Sequence, residues 1–524
     1  MRKDMAAAEV QGLRLKFPGE ADFVFKDLDF SVVRGEHVLL LGPSGCGKST
    51  LLQVLSGIIP DLVEIPMRTS AQQLPTSWRF LFQDPETQFC MPYVDEELAF
   101  ALENLGIPQP EMSARMEAAL AEVGLDLPEL HVSIDSLSQG MKQRLALASI
   151  LLGDPEVLLL DEPSALLDPL GREQIWQAIA KVAEGRTLMI VEHRIEELTA
   201  QGLVDRVVLF GPDGRVLGEG APEVVFDTYR SALVEFGIWY PGVWEEYLAS
   251  EGGRRLLEPT ENVREANGPV MVELKDFRGF RQGRPVIEVG QAAVYPGDWI
   301  AVTGPNGAGK SSLLLSLIGL LPAEGTYVLQ GKRMETGKLR RRSRKRQLER
   351  SAREIGFVFQ NPEFQFVADR VADEVAFSLR EDGLGVEAIR ERVAECLNRF
   401  GLTGLEGRHP YQLSLGQKRR LSVAAAAVRE QRLLLLDEPT FGQDAANTFA
   451  ILQLCEELRR RGIAILMVTH EERIAERVAT QHWEVREGRI LSQRITPRAA
   501  NRLANAGTPT GPIGPSETEA VMAK

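Results

Sequence analysis

Short unbroken apolar runs alternate along the chain with longer stretches whose apolar positions recur every three to four residues, the pattern of buried strands interleaved with helices. His37–Leu41 (HVLLL) runs into Gly42, and Thr50–Leu55 (TLLQVL) then reads as the start of a helix. Val157–Leu160 is closed by Asp161 and Glu162, and Leu433–Leu436 by Asp437 and Glu438. Four apolar residues bounded by turn residues suit a strand buried on both faces of a parallel sheet, so the pattern predicts an α/β fold. The longest apolar runs fall far short of the ~20 residues that cross a bilayer.

The pattern also repeats. GPSGCGKST (Gly42–Thr50) returns as GPNGAGKSS (Gly304–Ser312), followed in the same order by FLFQDPETQF and FVFQNPEFQF, LSQGMKQR and LSLGQKRR, VLLLDEPS and LLLLDEPT, IVEH and MVTH. The offset is 262 between Lys48 and Lys310, then 277 for Gln83 and Gln360, 276 for Ser138 and Ser414, 276 for Asp161 and Asp437, and 277 for His193 and His470. A period this long means two copies of one domain rather than a solenoid. The change of offset places an insertion in the second copy, the basic stretch between Lys332 and Arg353.

Composition narrows the possibilities. The 524 residues carry 60 Lys+Arg against 74 Asp+Glu, net −14, with 44% hydrophobic residues, which excludes disordered, collagenous and disulfide-scaffold classes. Four dispersed cysteines without a C-x-x-C pair suit a reducing compartment. No N-terminal apolar stretch is long enough for a secretion signal, so the expected location is the cytoplasm. An acidic balance disfavours a nucleic-acid partner. The basic run Arg340–Arg353 is expected to be a solvated helix face.

A strand, a Gly-rich turn and a helix form the context in which G-x-x-x-x-G-K-[ST] binds phosphate, with backbone N–H groups and the helix N-terminus facing the anion. The cradles are Gly42, Pro43, Ser44, Gly45, Cys46, Gly47, Lys48, Ser49 and Thr50, and Gly304, Pro305, Asn306, Gly307, Ala308, Gly309, Lys310, Ser311 and Ser312. Lys48 and Lys310 would reach the β- and γ-phosphates of ATP, while Ser49 and Ser311 would ligate Mg²⁺ with Asp161 and Asp437. Glu162 and Glu438 are then placed as general bases for the attacking water. Cys46 lies inside the first cradle, so its alkylation is expected to block one site.

These motifs resemble the ATP-binding-cassette family. LSQGMKQR (Leu137–Arg144) and LSLGQKRR (Leu413–Arg420) are similar to its signature loop, and His193 and His470 to its histidine. The resemblance implies two phosphate-loop, RecA-like domains, each with a helical signature subdomain, arranged head to tail within one chain. Lys48, Ser49, Gln83, Asp161, Glu162 and His193 would form one site with Ser414 and Gly416. Lys310, Ser311, Gln360, Asp437, Glu438 and His470 would form the other with Ser138 and Gly140. Glu162, Glu438, His193 and His470 take the catalytic roles, and Gln83 and Gln360 join the serines and aspartates at the metal. The signature departs from LSGGQ at Gln139, Met141 and Leu415, which implies unequal sites. Phe17 fits the adenine-stacking position in the first copy, and Phe280 or Arg281 in the second.

FQDPETQF and FQNPEFQF, followed by VDEELAF and VADEVAF, resemble the ATPases of energy-coupling-factor transporters, in their fused form. That resemblance implies a transmembrane coupling component and a substrate-binding membrane subunit as partners, a peripheral place on the cytoplasmic membrane face, and a vitamin, vitamin precursor or transition-metal ion as cargo. A soluble tandem protein acting on ribosomes is the alternative. Against it, residues 228–268 hold seven acids and four arginines, unsuited to phosphate backbone. The expected organisation is a first domain over 8–230, a linker over 231–268 whose aromatic stretch Phe236–Tyr247 packs on that domain, a second domain over 269–498, and a disordered tail over 499–524.

Overall fold

The structure is a computed structural model that describes residues 6–20, 22–165, 167–258, 270–337, 341–429 and 431–498, the side chains of 341–344 excepted. Residues 259–268 of the expected linker, Arg340 and the expected tail lie outside the described residues.

Each half folds around one sheet. In the first the strand order is Val216–Gly220, Arg206–Phe210, His37–Leu41, Thr187–Val191, Val157–Asp161, Trp78–Leu81. All neighbours pair in parallel except the Val216–Gly220 edge. The second half repeats this order with Arg489–Ile495, Gln481–Arg486, Trp299–Thr303, Ala464–Val468, Leu433–Asp437 and Ile355–Val358. Thr187–Val191 and Ala464–Val468 are buried at every position, as strands covered on both faces must be. They separate the strand that leads into the Gly-rich turn from the strand that ends in two acids. Three carboxyl ends therefore lie side by side, where ligands of such sheets bind.

Antiparallel strands flank each core sheet, Ala6–Leu15 with Phe25–Val33 in the first half and Val272–Arg281 with Arg284–Val294 in the second. Helices Val94–Asn104, Gln109–Glu122 and Gln139–Leu151 form a helical layer beside the first sheet, repeated as Val371–Glu381, Val386–Arg399 and Leu415–Ala427. The basic insertion is the helix Arg341–Glu354, with Lys345, Arg346 and Arg353 exposed and Ser351 buried. It is an addition to the second half, where the first passes from Ala71–Gln73 to Trp78–Leu81 without a helix.

The aromatic stretch departs from expectation. It packs on the second half as a strap: Tyr247 stacks on Phe449 at 3.7 Å, and Trp239 and Trp244 meet the same ring edge-on at 5.8 and 5.1 Å. Trp239 Nε1 donates to the Gln443 carbonyl at 2.9 Å, and Ala445 N donates to the Gly237 carbonyl at 2.8 Å. Phe449 sits on helix Ala445–Arg460, whose apolar side needs a cover that the second half does not supply. One buried apolar cluster consequently runs from the first half through Leu233, Ile238 and Trp244 into Phe449 and Leu452.

At the far end of that helix Glu456 is 3% exposed and takes both Nε and Nη2 of Arg459 at 2.7 Å, Arg460 Nε at 3.0 Å and Arg498 Nη2 at 2.8 Å. Burial works to raise its carboxyl, but Arg459 and Arg498 hold it below the usual 4.5. Glu456→Gln leaves buried guanidinium groups short of charge and is expected to cost about 3 kcal/mol in urea unfolding. Because the folded carboxyl is depressed, the stabilisation is complete above pH 4.5 and lost as pH falls through the folded value. The gap between wild type and variant should therefore be full at pH 7 and close in acid.

Candidate active sites

The two Gly-rich turns are built alike. Cys46 N donates to the Pro43 carbonyl at 3.3 Å and Ala308 N to the Pro305 carbonyl at 3.2 Å, closing each turn ahead of helices Lys48–Leu55 and Lys310–Ile318. Gly47 and Gly309 precede those helices at φ 101° and 102°, and a Cβ there would lie 2.6 Å from Val24 Cγ1 and 2.4 Å from the Val286 carbonyl oxygen. Only glycine fits. The buried Lys48 ammonium donates to the carbonyls of Gly42 and Pro43 at 2.8 and 3.1 Å, and Lys310 to those of Gly304 and Pro305 at 2.7 and 2.9 Å. Ser44, Gly45, Asn306 and Gly307 are exposed at the tips, and Thr50 and Ser312 lie half-buried one turn in.

Beneath each lysine a hydroxyl meets a carboxylate. Ser49 Oγ donates to Asp161 Oδ1 at 2.8 Å and Ser311 Oγ to Asp437 Oδ1 at 2.9 Å. Burial pushes both aspartates up to about 6, the adjacent glutamate adds to the rise, and the serine and lysine oppose it. Paired oxygen donors short of positive charge could hold a hard divalent cation.

The next residue turns the chain. Glu162 and Glu438 lie at φ 48° and 49°, a region costly for a side chain other than glycine, and such strain gathers at functional sites. Glu162 Oε1 faces His193 Nε2 at 3.1 Å, and Oε2 accepts from Gln83 Nε2 at 2.8 Å. Glu438 repeats both contacts, with His470 Nε2 at 3.0 Å and Gln360 Nε2 at 3.3 Å. Burial disfavours charge on Glu162, but the hydrogen bond and charge of His193 win and hold it below the usual range, while Glu162 holds the buried imidazole above its own. The glutamines, expected at the metal, are instead turned onto the glutamates.

Ser138 and Ser414 cap the signature helices, accepting from Met141 N and Gln417 N at 3.3 Å each. Among the described residues neither serine bonds to the facing turn. Asp168 does cross: its Oδ2 accepts from Asn306 N at 2.9 Å while Oδ1 accepts from Gly171 N at 2.8 Å. Its counterpart Asp444 is kept at home, with Oδ1 accepting from Asn447 N at 2.7 Å and Oδ2 from Asn447 Nδ2 at 2.9 Å. The Asn447 side chain also lies over Gly416, whereas Gly140 faces only the Gly171 backbone. The two halves thus differ in geometry at Asn447 and Gly171, in addition to their signature letters.

Three further groups escaped notice although they repeat in register. Lys142 pairs with Glu86, and Lys418 with Glu363 at 2.6 Å, tying each signature helix to the segment after the glutamine. Glu97 Oε2 accepts from Cys90 N and Met91 N at 2.8 and 2.9 Å, and Glu374 Oε2 from Val367 N and Ala368 N at 2.8 and 2.9 Å. Their signal was the same offset of 276 or 277 that marks the larger motifs. Cys46 differs from expectation: its side chain is buried beneath the turn and burial raises its thiol, so a reagent does not reach it unless the turn opens.

Residues 25–165 and 290–441 match the family model described as ABC transporter. The chain is 35% identical over 492 residues to "Putative HMP/thiamine import ATP-binding protein YkoD" of Bacillus subtilis, covering 88% of this chain and 86% of that one. It is 31% identical over 533 residues to a "Putative ABC transporter ATP-binding protein" of Methanosarcina acetivorans, covering 92% and 84%. The solved complex of an archaeal ribosomal stalk protein with archaeal ribosome recycling factor is alike in fold, with a TM-score of 0.58 at 21% identity over 94% of this chain and 92% of that one. With two matched segments, each carrying its own Gly-rich turn and acid pair, the chain belongs to the ABC transporter family and holds two of its ATP-binding domains.

Proposed function

We propose that the two halves, 8–230 and 269–498, hydrolyse ATP at two sites and drive import through a membrane complex of the energy-coupling-factor type. The observation that carries the hydrolytic reading is the recurrence of one arrangement: a glutamate held by a histidine and a glutamine, directly after the aspartate that meets the cradle serine. The glycine turns and Lys48 or Lys310 hold the phosphates. Ser49 with Asp161, and Ser311 with Asp437, would hold Mg²⁺, which would neutralise charge on the phosphate oxygens. Glu162 and Glu438 accept the proton of the attacking water, His193 and His470 keep each carboxylate aimed, and His193 keeps Glu162 ionised. Ser414 with Gly416, and Ser138 with Gly140, close the sites from the facing half and cap the nucleotide.

The transport reading rests on the relative named for HMP/thiamine import and on the surface around Gln360. Phe364, Val367 and Phe377 are 77%, 67% and 50% exposed there, held out by the Glu374 clamp. Large apolar side chains this exposed suit a protein partner. Among the described residues no helix is long and apolar enough to cross a membrane. In this reading the partner supplies the path and this chain sits peripherally on its cytoplasmic face. We take a thiamine precursor as the cargo, bound by a separate membrane subunit. The likeness to the ribosome recycling factor is one of fold alone.

Replacing both bases, Glu162→Gln with Glu438→Gln, should lower phosphate release by on the order of 100-fold or more while ATP still binds. Full turnover in that variant, followed with a phosphate sensor, would overturn the catalytic assignment. Phe364→Asp should abolish co-purification with membrane proteins in detergent and leave ATP binding intact. A wild-type chain that fractionates only with ribosomes would overturn the transport reading.

A further inference from the structure

The residue after each histidine crosses to the other half. Arg194, next to His193, forms an ion pair with Glu471, next to His470, and both side chains are largely buried. The backbone at each histidine is pinned by the residue that precedes it in its own half. Glu192 Oε1 accepts from His193 N and Arg194 N at 2.7 and 3.1 Å, while Thr469 Oγ1 accepts from Glu471 N at 3.0 Å. Gln83, Glu162, His193, Arg194, Glu471, His470, Glu438 and Gln360 thus form an unbroken polar chain through the seam between the halves. A cavity of about 310 Å³ lined by Arg194, Glu471, Arg473 and Trp244 lies beside the joint and leaves it room to shift.

We propose that Arg194 and Glu471 are positioning residues that couple the two nucleotide sites, a proposal that rests on the two-site reading above. A phosphate arriving near Glu162 draws on the imidazole that now faces that carboxylate. Arg194 is one peptide from His193, so the shift is passed through a shielded ion pair to Glu471 and thence to His470. A pair in low-dielectric surroundings transmits displacement because letting go leaves two buried charges unpaired. A second pair across the seam supplies the contrast. Arg473 Nη1 meets both oxygens of Glu196 at 3.0 Å, but neither residue adjoins a histidine, and their side chains are 35% and 42% exposed against 27% and 14% for Arg194 and Glu471.

The test is equilibrium binding of a non-hydrolysable MgATP analogue to the full chain, since coupling between binding sites is reciprocal and needs no turnover. The wild type should bind the second nucleotide about tenfold more tightly than the first, within the usual range of coupling. Arg194→Gln and Glu471→Gln should each lower the melting temperature and abolish the difference. The double variant should regain the melting temperature, because no charge is left unpaired, and still bind two nucleotides independently. Arg473→Gln with Glu196→Gln should keep the tenfold ratio. A double variant of Arg194 and Glu471 that kept the ratio would make the pair merely structural and overturn the proposal, as would independent binding by the wild type. Failure of the catalytic reading would show in phosphate release alone and leave the binding ratio untouched.

Discussion

Burial of two consecutive acids at the end of one strand is the constraint from which the rest of each site follows. Asp161 and Asp437 are raised from 3.8 to about 6, so at pH 7 each ionised carboxylate costs the fold about 3 kcal/mol relative to an exposed one. For an acid with a raised folded value, that cost is absent below pH 3.8 and complete above pH 6. The chain tolerates it because lysine and serine from beyond one strand end, and histidine from beyond the strand between, converge on the acids at the third. A divalent cation at the Ser–Asp pair would remove the cost, so the arrangement is unstable in the direction that favours the ligand.

The following glutamates show how closely that convergence is tuned. In the first half His193 outweighs burial and keeps Glu162 ionised, and buried Glu192 sits behind, raised by burial although Ser164 Oγ donates to it at 2.6 Å. The second half has Thr469 in place of Glu192, a neutral residue doing the same backbone work. It also has Arg419 where the first has Gln143, buried, lowered to about 10 and near both Asp437 and Glu438. Removing an acid and adding a cation shift the local field in one direction, so the second half is the more positive of two sites with the same ligands.

Much of this was legible in the sequence because buried parallel strands leave a mark that tertiary context does not erase. Leu433–Asp437 and Val157–Asp161 read correctly since every side chain on them must be apolar until the site begins. Register then identified Gln83, Gln360, His193 and His470 together. What composition cannot encode is direction across the seam. Phe236–Tyr247 reads as buried, but its residue types do not say that Phe449 is the partner, and the structure puts it on the second half. Asp168 and Asp444 are equivalent letters, yet one reaches Asn306 and the other does not. The difference lies three residues on, where Gly171 leaves Asp168 free and Asn447 fills Asp444.

That last difference has a consequence for how the halves meet. Asp168 and its helix cap are spent on the second Gly-rich turn, so this contact holds Asn306 to the first half whatever happens at the first turn. The strap from Trp239 to Tyr247 and the Arg194–Glu471 pair add to the same seam. On the other side Asn447 satisfies both oxygens of Asp444 and crowds Gly416, so bringing the Ser414 loop onto the first turn requires the asparagine to give way. The seam is thus joined by Asp168 at the Lys310 turn and self-satisfied at Asp444 on the Lys48 side, so the two sites differ in what closing them must rearrange.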